Sequence, residues 1–257
     1  MNPQGEAIIL GSGTSTGVPV LGFDYPASFL ADPRNHRLRP SILLCGPTGN
    51  FQVDCGPDFR IQLLRAGISD LEAALITHSH ADHIMGMDDL RSFSLKYRRP
   101  FPVYAWPEVQ ADIRRIYPYA FADFPVGVEV PRFDLQDVPA VIEVGGMEIE
   151  TLTVMHGPTM RCVALRVAGF AYVTDVSDIP PAAWARLQDL DTLILDAVRY
   201  KPHPNHFHFE KAVEVARQLG ARQTYFTHLS HDYDYQVVTA ELPAGISLAY
   251  DGLRILF

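Results

Sequence analysis

Residues 77–83 read THSHADH, which places three histidines and one aspartate within seven positions of a single segment. The segment directly follows the apolar run AALI at residues 73–76, which predicts a buried strand. A turn just beyond a strand can direct several side chains toward one small volume, which suits a metal ion. Imidazole and carboxylate ligands together favour zinc, manganese or iron over calcium or magnesium. The candidate ligands are His78, His80, Asp82 and His83.

Two histidines together with a histidine–aspartate pair are more than one four-coordinate ion needs, so the segment predicts two ions. A second ion requires further ligands, and suitable side chains follow three other strand-like runs. They are His156 after LTVM, Asp175 after AYVT and His228 after TYFT. Any one of them alone is more simply a polar loop residue. Together they supply the missing ligand types, which favours a shared metal site.

The elements that must position these side chains are short apolar runs separated by turn residues. Helical patterns lie between several runs, at residues 58–66 and 209–219, and a glycine follows each pattern. Gly145, Gly146 and Gly169 interrupt strand-like stretches and predict hairpins. Hairpins mixed with crossover helices predict an α/β fold of mixed sheets with helices on their outer faces. The predicted strands cover residues 7–10, 42–45, 51–53, 73–76, 163–167, 193–195 and 224–226.

The length of 257 residues and the apolar content of 47% predict one globular domain that spans residues 1–257. The proline-rich residues 97–107 and 202–204 are expected to form structured loops within that domain. A formal charge of −9 argues against broad attraction to nucleic acid or to an anionic membrane. The sequence shows no basic leader, no membrane-spanning apolar stretch and only three widely spaced cysteines, which together predict a cytoplasmic protein.

The motif HSHADH, with the later His156, Asp175 and His228, resembles the metallo-β-lactamase-fold superfamily of dinuclear hydrolases. The segments GSGTSTGVP, DCGPDFR, THLSHD and AYDGLRI resemble the branch that contains the cyclic-phosphate phosphodiesterase of the carbon–phosphorus lyase pathway. The resemblance extends over nearly the whole chain. It implies an αββα sandwich with the metal ions at one edge.

The resemblance also implies roles for particular residues. His78, His80 and His156 would hold one ion, whereas Asp82, His83 and His228 would hold the other. Asp175 would bridge the two ions.

Two further residues gain roles from the resemblance. His206 lies in KPHPNHFHFEKAV just ahead of the predicted helix, where a related histidine is implicated in catalysis. An imidazole at a helix N-terminus could protonate a leaving group or bind a phosphoryl oxygen. Asp54, in QVDCG, resembles a carboxylate that orients a metal-bound imidazole, although a simple turn aspartate is an equal interpretation.

One segment departs from the related phosphodiesterase. There a cysteine-rich stretch and a histidine that matches His231 hold a separate structural zinc. This chain has GFDYPAS at that place, with Phe23, Tyr25 and Ser28 instead of thiols, so we predict that the extra zinc is absent. His231 is then left either to cap a loop or to donate a hydrogen bond to a residue beside the pocket.

The expected function is hydrolysis of small phosphodiesters, cyclic or linear, with two divalent ions, zinc or manganese, as cofactors. Hydroxide between the ions would attack phosphorus, Asp175 would fix its orientation, and His206 would protonate the departing oxygen. The expected partner is a small phosphodiester, without stable nucleic-acid or membrane binding. Dimerisation is common in the related branch, so a homodimer stays open.

Three alternatives remain. A tRNA 3′-processing endonuclease of the same fold would need a basic arm, and the pairs Arg98–Arg99 and Arg114–Arg115 are too sparse to form one. A thioester or lactam hydrolase would use the same metals. A non-catalytic metal-binding module is the alternative from another class, and the complete ligand set argues against it.

Overall fold

The computed structural model describes residues 5–125 and 127–257, and its strands form two seven-stranded sheets. The first sheet has the strand order β14–β1–β2–β3–β4–β5–β6. Antiparallel pairs run from β14 to β3 and parallel pairs run from β3 to β6, so this sheet is mixed. Its strands are β1 (Glu6–Gly11), β2 (Ser41–Cys45), β3 (Asn50–Val53), β4 (Ala73–Leu75), β5 (Phe101–Tyr104), β6 (Phe133–Gln136) and β14 (Arg254–Leu256).

The second sheet has the order β13–β12–β11–β10–β9–β8–β7 and is also mixed. Its antiparallel part runs from β7 to β10, and parallel pairs join β10 to β13. Gly145 and Gly146, both with positive φ, form the turn between β7 and β8, as the hairpin signal predicted. The strands are β7 (Val141–Val144), β8 (Met147–His156), β9 (Met160–Val167), β10 (Phe170–Val173), β11 (Thr192–Asp196), β12 (Gln223–Thr227) and β13 (Ile246–Leu248).

Helices cover the outer faces of both sheets. Three single turns of 3-10 helix span Pro33–Asn35, Met87–Leu90 and Pro118–Phe121. None of the helices in the described ranges is long and apolar enough to cross a membrane. The helices are α1 (Ala27–Ala31), α2 (Phe59–Ala66), α3 (Ala81–Ile84), α4 (Arg91–Tyr97), α5 (Pro107–Ile116), α6 (Pro181–Arg186), α7 (Phe209–Leu219) and α8 (Tyr235–Glu241).

Central strands such as β4 and β10 are buried on both faces, which explains why they read as continuous apolar runs in the sequence, whereas the edge strands β7 and β14 also carry exposed residues. In β1, Ala7 and Ile9 point into the core between the two sheets, together with Tyr172 of β10. Their neighbours Ile8 and Leu10 point the other way, into the core beneath α2, α4 and α5. A third core lies between the second sheet and α6, α7 and α8. The αββα sandwich with two mixed sheets is therefore confirmed.

The interpretation of residues 97–107 as a loop is wrong in part. Phe101–Tyr104 form β5, which lies between β4 and β6 in parallel register. Pro102 removes one backbone donor from the ladder, which obscures the strand in the sequence. Phe101 and Val103 on either side of it are fully buried and hold the strand in the sheet.

One edge of the sandwich collects the ends of several strands. Strands β8, β10, β11 and β12 run in the same direction, and β4 of the facing sheet ends beside them. The residues at or just beyond these ends are His78, His156, Asp175, Asp196 and His228. The topology therefore gathers residues that are up to 150 positions apart in sequence, as from 78 to 228.

Candidate metal centre

The HSHADH segment turns from an extended strand end into the short helix α3. His80 has an extended conformation at the helix N-cap position, so His78 and His80 precede the helix whereas Asp82 and His83 lie within it. The change from extended to helical backbone directs all four side chains toward the same edge of the sandwich. Gly56 lies against this turn, and a Cβ atom at Gly56 would come within 1.9 Å of the Asp82 carbonyl oxygen. The DCG and HSHADH motifs therefore fit together only with glycine at that position.

Three imidazole nitrogens converge in the first group of candidate ligands. His80 Nδ1 lies 2.9 Å from His78 Nε2 and 3.3 Å from His156 Nε2. His156 Nδ1 donates to the Asn205 carbonyl oxygen at 2.8 Å, which leaves Nε2 as the nitrogen with a free lone pair. The outer nitrogen of His78 is 3.1 Å from the Thr77 hydroxyl. The rings of His78 and His156 are thus held from behind while their inner nitrogens face the volume shared with His80.

The second group consists of Asp82, His83 and His228. Asp82 Oδ2 lies 3.4 Å from His83 Nε2 and 3.6 Å from His228 Nε2. All three side chains are buried, yet His83 Nε2 and both ring nitrogens of His228 have no hydrogen-bond partner within the described residues. Buried polar atoms are normally satisfied, so these orphaned nitrogens fit a bound cation.

Asp175 lies between the two groups. Its Oδ1 atom is 3.4 Å from His228 Nε2 and 3.8 Å from His78 Nε2, and its Oδ2 atom is 3.4 Å from His83 Nε2. One carboxylate oxygen thus faces residues of both groups. The structure brings together all seven side chains that the sequence singled out as ligands.

Backbone strain is concentrated at this edge. Asp54, Asp175 and His228 have φ values of 62°, 52° and 59°, in the left-handed region that disfavours residues with a Cβ atom. Such conformations persist only where surrounding structure enforces them, and they cluster at functional sites. The strained backbone at these residues therefore indicates a functional site, where the direction of each side chain is kept at a cost in local stability.

Asp54 supports the second group from behind. Its Oδ2 atom accepts a hydrogen bond from His83 Nδ1 at 2.7 Å, and its Oδ1 atom accepts one from the Thr77 amide at 2.8 Å. The Thr77 hydroxyl also lies within 3.1 Å of both carboxylate oxygens. The structure thus places Asp54 in position to orient an imidazole ligand, which is more than a turn aspartate would do.

His206 adjoins the candidate ligands, and a residue that the sequence analysis missed holds it there. Its ring stacks on His228 with centroids 4.8 Å apart and meets the His156 ring edge-on at 4.6 Å. Asp196, at the end of β11, accepts a hydrogen bond from His206 Nδ1 at 2.7 Å. The available signal was the run LILD, which ends in a carboxylate just as other strands end in candidate ligands.

The structure does not bring His231 into the site. Its ring packs against Phe23 with centroids 4.9 Å apart and against the edge of Tyr25 at 6.3 Å. No hydrogen bond joins His231 to a candidate ligand within the described residues. The expected role of His231 as a cap or a hydrogen-bond donor beside the pocket is therefore corrected to an aromatic contact with the segment that lacks the thiols.

Burial sets the protonation of the first group. It lowers the pKa of His78 and His80 below the ordinary value and that of His156 to about 4. Neutral imidazole is the form that binds a metal. These three rings are thus ready to coordinate a cation at neutral pH.

In the second group, neighbouring charges outweigh burial in setting the pKa values. Burial alone would lower the pKa of His228, but the carboxylates around it, chiefly Asp175 and Asp82, together outweigh burial and raise the pKa to about 9. Burial would raise the pKa of Asp175, but His228 and His83 hold it well below its usual range. Asp82 follows the same pattern. Two ionised carboxylates in a buried site require nearby positive charge, which protonated imidazoles or bound cations can supply.

Comparison with known proteins identifies the family. A family profile described as a beta-lactamase superfamily domain matches residues 49–229, a span that contains every candidate ligand. The chain belongs to the beta-lactamase superfamily. This superfamily member also resembles the crystal structure of a new diphosphatase from the PhnP family, with 38% identity and a TM-score of 0.90. That similarity covers 98% of this chain and 97% of the other.

Two curated relatives of this superfamily member carry other names. An octanoyltransferase of Porphyromonas gingivalis is 35% identical over 256 residues, which is 98% of this chain and 51% of that protein. The chain therefore spans about half the length of that relative. A ribonuclease Z of Marinobacter nauticus is 30% identical over 130 residues, which is 45% of this chain and 39% of that protein. The chain therefore has the hydrolase fold of a superfamily that binds divalent metal ions.

Proposed function

We propose that the protein is a metal-dependent phosphodiesterase that acts on small phosphodiesters. The observation that supports this most directly is the position of Asp175, which has one carboxylate oxygen near both His78 and His228. A carboxylate so placed suits a site for two adjacent cations rather than one. Phosphodiester hydrolysis benefits from two neighbouring cations, because both the attacking and the leaving oxygen carry negative charge.

The ligand set indicates which ions are suitable. Five imidazoles with two carboxylates favour zinc or manganese over magnesium or calcium. Two such ions would supply a nucleophilic hydroxide at neutral pH and neutralise charge on the phosphoryl group. His78, His80 and His156 would hold one ion, and Asp82, His83 and His228 would hold the other. Asp175 would contribute to both.

The side chains around the ions would then orient the substrate and move protons. His206 Nδ1 is engaged by Asp196, so Nε2 is the nitrogen available to a substrate. From that position the ring could donate a proton to the departing oxygen, as general acids do. The stacking of His206 on His228 keeps this donor beside the proposed ions.

A diphosphate bridge is a second candidate for the bond that is cleaved. It is favoured by the resemblance to the PhnP-family diphosphatase, which covers nearly all of both chains. Each phosphorus in a disubstituted diphosphate carries two ester-type oxygens, so the same residues would serve the same in-line displacement. The octanoyltransferase name describes a protein about twice as long and does not define the activity of the half that matches.

The tRNA-processing alternative has weaker support. The ribonuclease Z match covers less than half of this chain, and the formal charge of −9 disfavours a large polyanion. A thioester hydrolase would have little use for a proton donor at His206, because the leaving thiolate needs no proton. A non-catalytic module would not require the Asp196–His206 pair.

One experiment separates these functions. The protein would be loaded with zinc or with manganese, and metal content would be measured by elemental analysis before each assay. The substrates would be bis(p-nitrophenyl) phosphate, a cyclic nucleotide, a dinucleoside diphosphate, a thioester and precursor tRNA. We expect two ions per chain and turnover of one or more of the first three substrates. Turnover of only the thioester or the tRNA, or no turnover at full loading, would refute the proposal.

Two variants control this experiment. Asp175→Asn should lose most activity because it removes charge from the position between the two groups. His36→Ala changes an exposed histidine that hydrogen-bonds only the Leu30 carbonyl and lies in none of the candidate ligand groups. It should retain full activity and metal content.

A further inference from the structure

Hydrogen bonds and ring contacts hold the segment that stands where the related phosphodiesterase has its thiols. Val18 forms two backbone hydrogen bonds of 2.8 Å with Arg37, one in each direction. The Val20 amide donates to the Tyr25 hydroxyl at 2.9 Å, and the Tyr25 ring stacks on Phe29 with centroids 5.0 Å apart. Residues 18–25 are therefore fixed at both ends rather than free to collapse onto the protein surface.

Two apolar side chains nevertheless remain exposed on this segment. Leu21 is 95% exposed and Phe23 is 56% exposed. The Phe23 ring contacts the His231 ring at an interplanar angle of 49°, with centroids 4.9 Å apart. The exposed fraction of Phe23 leaves the rest of the ring open to solvent. A fixed, exposed aromatic ring is typical of a binding surface, because binding needs little further ordering.

This exposed ring contacts the loop that follows His228 of the candidate metal centre. Leu229, the residue after His228, pairs with Gly13, and its amide donates to the Ser12 carbonyl at 2.9 Å. His231 follows His228 by three residues, and three extended residues span at most about 11 Å. The stretch from Ser12 to Phe23 therefore borders the site on the His228 side, at a distance that a nucleotide-sized substrate can bridge.

Buried Arg37 holds the stretch from Ser12 to Phe23 in place beside the site. Its guanidinium donates to the Ser230 carbonyl at 3.1 Å and to the Tyr233 carbonyl at 2.7 Å, and it is 1% exposed. The same residue pairs with Val18 through its backbone. Arg37 thus ties the segment that carries Phe23 to the loop that carries His231.

We infer that Phe23, backed by His231, is a stacking surface for an aromatic group of the substrate, with a nucleoside the best-fitting class. This inference rests on the proposed phosphodiesterase function and specifies the part of the substrate that does not react. A nucleobase offers a flat π-face of the size that an exposed phenylalanine binds, and such stacking tolerates any base. Phe23 acts on specificity and has no part in bond cleavage.

The test compares two substrates that share one leaving group. Thymidine 5′-(p-nitrophenyl phosphate) and methyl p-nitrophenyl phosphate both release p-nitrophenolate and differ only in the group that remains. We expect the protein to prefer the thymidine ester in kcat/KM by about tenfold, since stacking of one base is worth a factor of that order. Phe23→Ala should abolish the preference by raising KM for the thymidine ester. It should leave the methyl ester within about twofold of the original protein.

Three controls make the outcome specific. Phe23→Tyr keeps the ring and should retain the preference, whereas Phe23→Leu keeps apolar contact with His231 and should lose it. Leu256→Ala truncates a 67% exposed side chain on the edge strand β14 and should change neither substrate. Equal losses for both esters in Phe23→Ala, or an unchanged preference, would overturn the inference while the phosphodiesterase function stands.

A binding measurement separates this inference from the function on which it rests. The affinity of the metal-loaded protein for AMP would be measured by calorimetry. We expect Phe23→Ala to weaken it by about tenfold and Phe23→Tyr to preserve it. If none of the phosphodiester substrates is hydrolysed, the phosphodiesterase proposal fails, and the AMP affinities alone decide on the stacking surface. Absence of AMP binding to the original protein, or equal affinity in Phe23→Ala, would overturn the stacking surface.

Discussion

The Asp196 carboxylate accepts a hydrogen bond from His206 Nδ1 at 2.7 Å, and the same oxygen accepts the Val176 amide at 3.0 Å. Val176 follows Asp175 in the chain, so Asp196 ties the His206 ring to the backbone beside the centre of the site. The pair is nearly inaccessible, with the His206 side chain 10% exposed and the Asp196 side chain 0% exposed. A histidine held in this way has one defined ring orientation, which a proton donor requires.

His206→Ala tests the proposed proton transfer. Diesters with poor alkoxide leaving groups should lose about 100-fold or more in kcat, which is typical for removal of a general acid. Diesters that release p-nitrophenolate should lose less than about tenfold, because that anion leaves without a proton. Measurement of kcat for a series of leaving groups gives the dependence, and equal losses along the series would show that His206 has another role.

Asp196→Asn should reproduce the same leaving-group pattern with a smaller loss. Its amide can still contact the His206 ring, but it carries no charge and presents a different hydrogen-bonding pattern to Nδ1. Asp32→Asn serves as a matched control, because Asp32 is also a buried carboxylate but pairs with Arg34, outside the candidate site. A loss in Asp196→Asn that is the same for every leaving group would count against its role in positioning His206.

Asp54→Ala tests whether the carboxylate behind His83 positions a metal ligand. Removal of a partner of this kind typically weakens metal binding by about 10- to 100-fold. The expected result is a correspondingly higher dissociation constant for one of two ions, measured by competition with a chromophoric chelator. Thr77→Ser keeps the hydroxyl that contacts Asp54 and should bind both ions normally. Unchanged affinity in Asp54→Ala would reduce Asp54 to a structural turn residue.

The dense HSHADH segment made the site recognisable from sequence, because four ligand-type side chains within a few positions need no knowledge of tertiary structure. The joint occurrence of His156, Asp175 and His228 after strand-like runs predicted that they share one site. The structure shows why they meet, because the strands before them run in the same direction and end at the same edge of a sheet. A single ligand-type side chain at a strand end predicts a functional residue only when other such side chains support it. Asp196 was missed for this reason, although its strand was predicted.

The contacts of His231 could not be predicted, because they depend on packing between segments about 200 residues apart. Replacement of thiols by Phe23 and Tyr25 indicated the absence of a soft-ligand site but not what those rings contact. β5 was missed because Pro102 is a local breaker, whereas burial of its neighbours is a tertiary effect. The sequence therefore predicted the ligand-type residues of a compact motif, but it did not predict side-chain packing between distant segments.

Metal removal should lower the stability of the protein. Ions that bind the native state but not the unfolded chain stabilise it by about 2.7 kcal/mol when the free ion is 100 times the dissociation constant. Without cations, the buried Asp82 and Asp175 depend on protons carried by neighbouring histidines. We expect a strong chelator to lower the melting temperature by several degrees and added zinc to restore it. His36→Ala should respond like the original protein, whereas Asp175→Asn should respond far less.

Asp251 should give stability a distinct dependence on pH. Its carboxylate accepts hydrogen bonds from Ser12 and Leu38, but burial outweighs them and raises the pKa from 3.8 to about 6. The native state therefore binds this proton more tightly than the unfolded chain does. The resulting stabilisation is fully present below about pH 4 and is lost as pH rises through 6. Asp251→Asn cannot titrate, so the free energy of unfolding of the original protein minus that of the variant should fall between pH 4 and 7. The expected fall is on the order of 2–3 kcal/mol, measured by urea denaturation, and a constant difference would contradict the raised pKa.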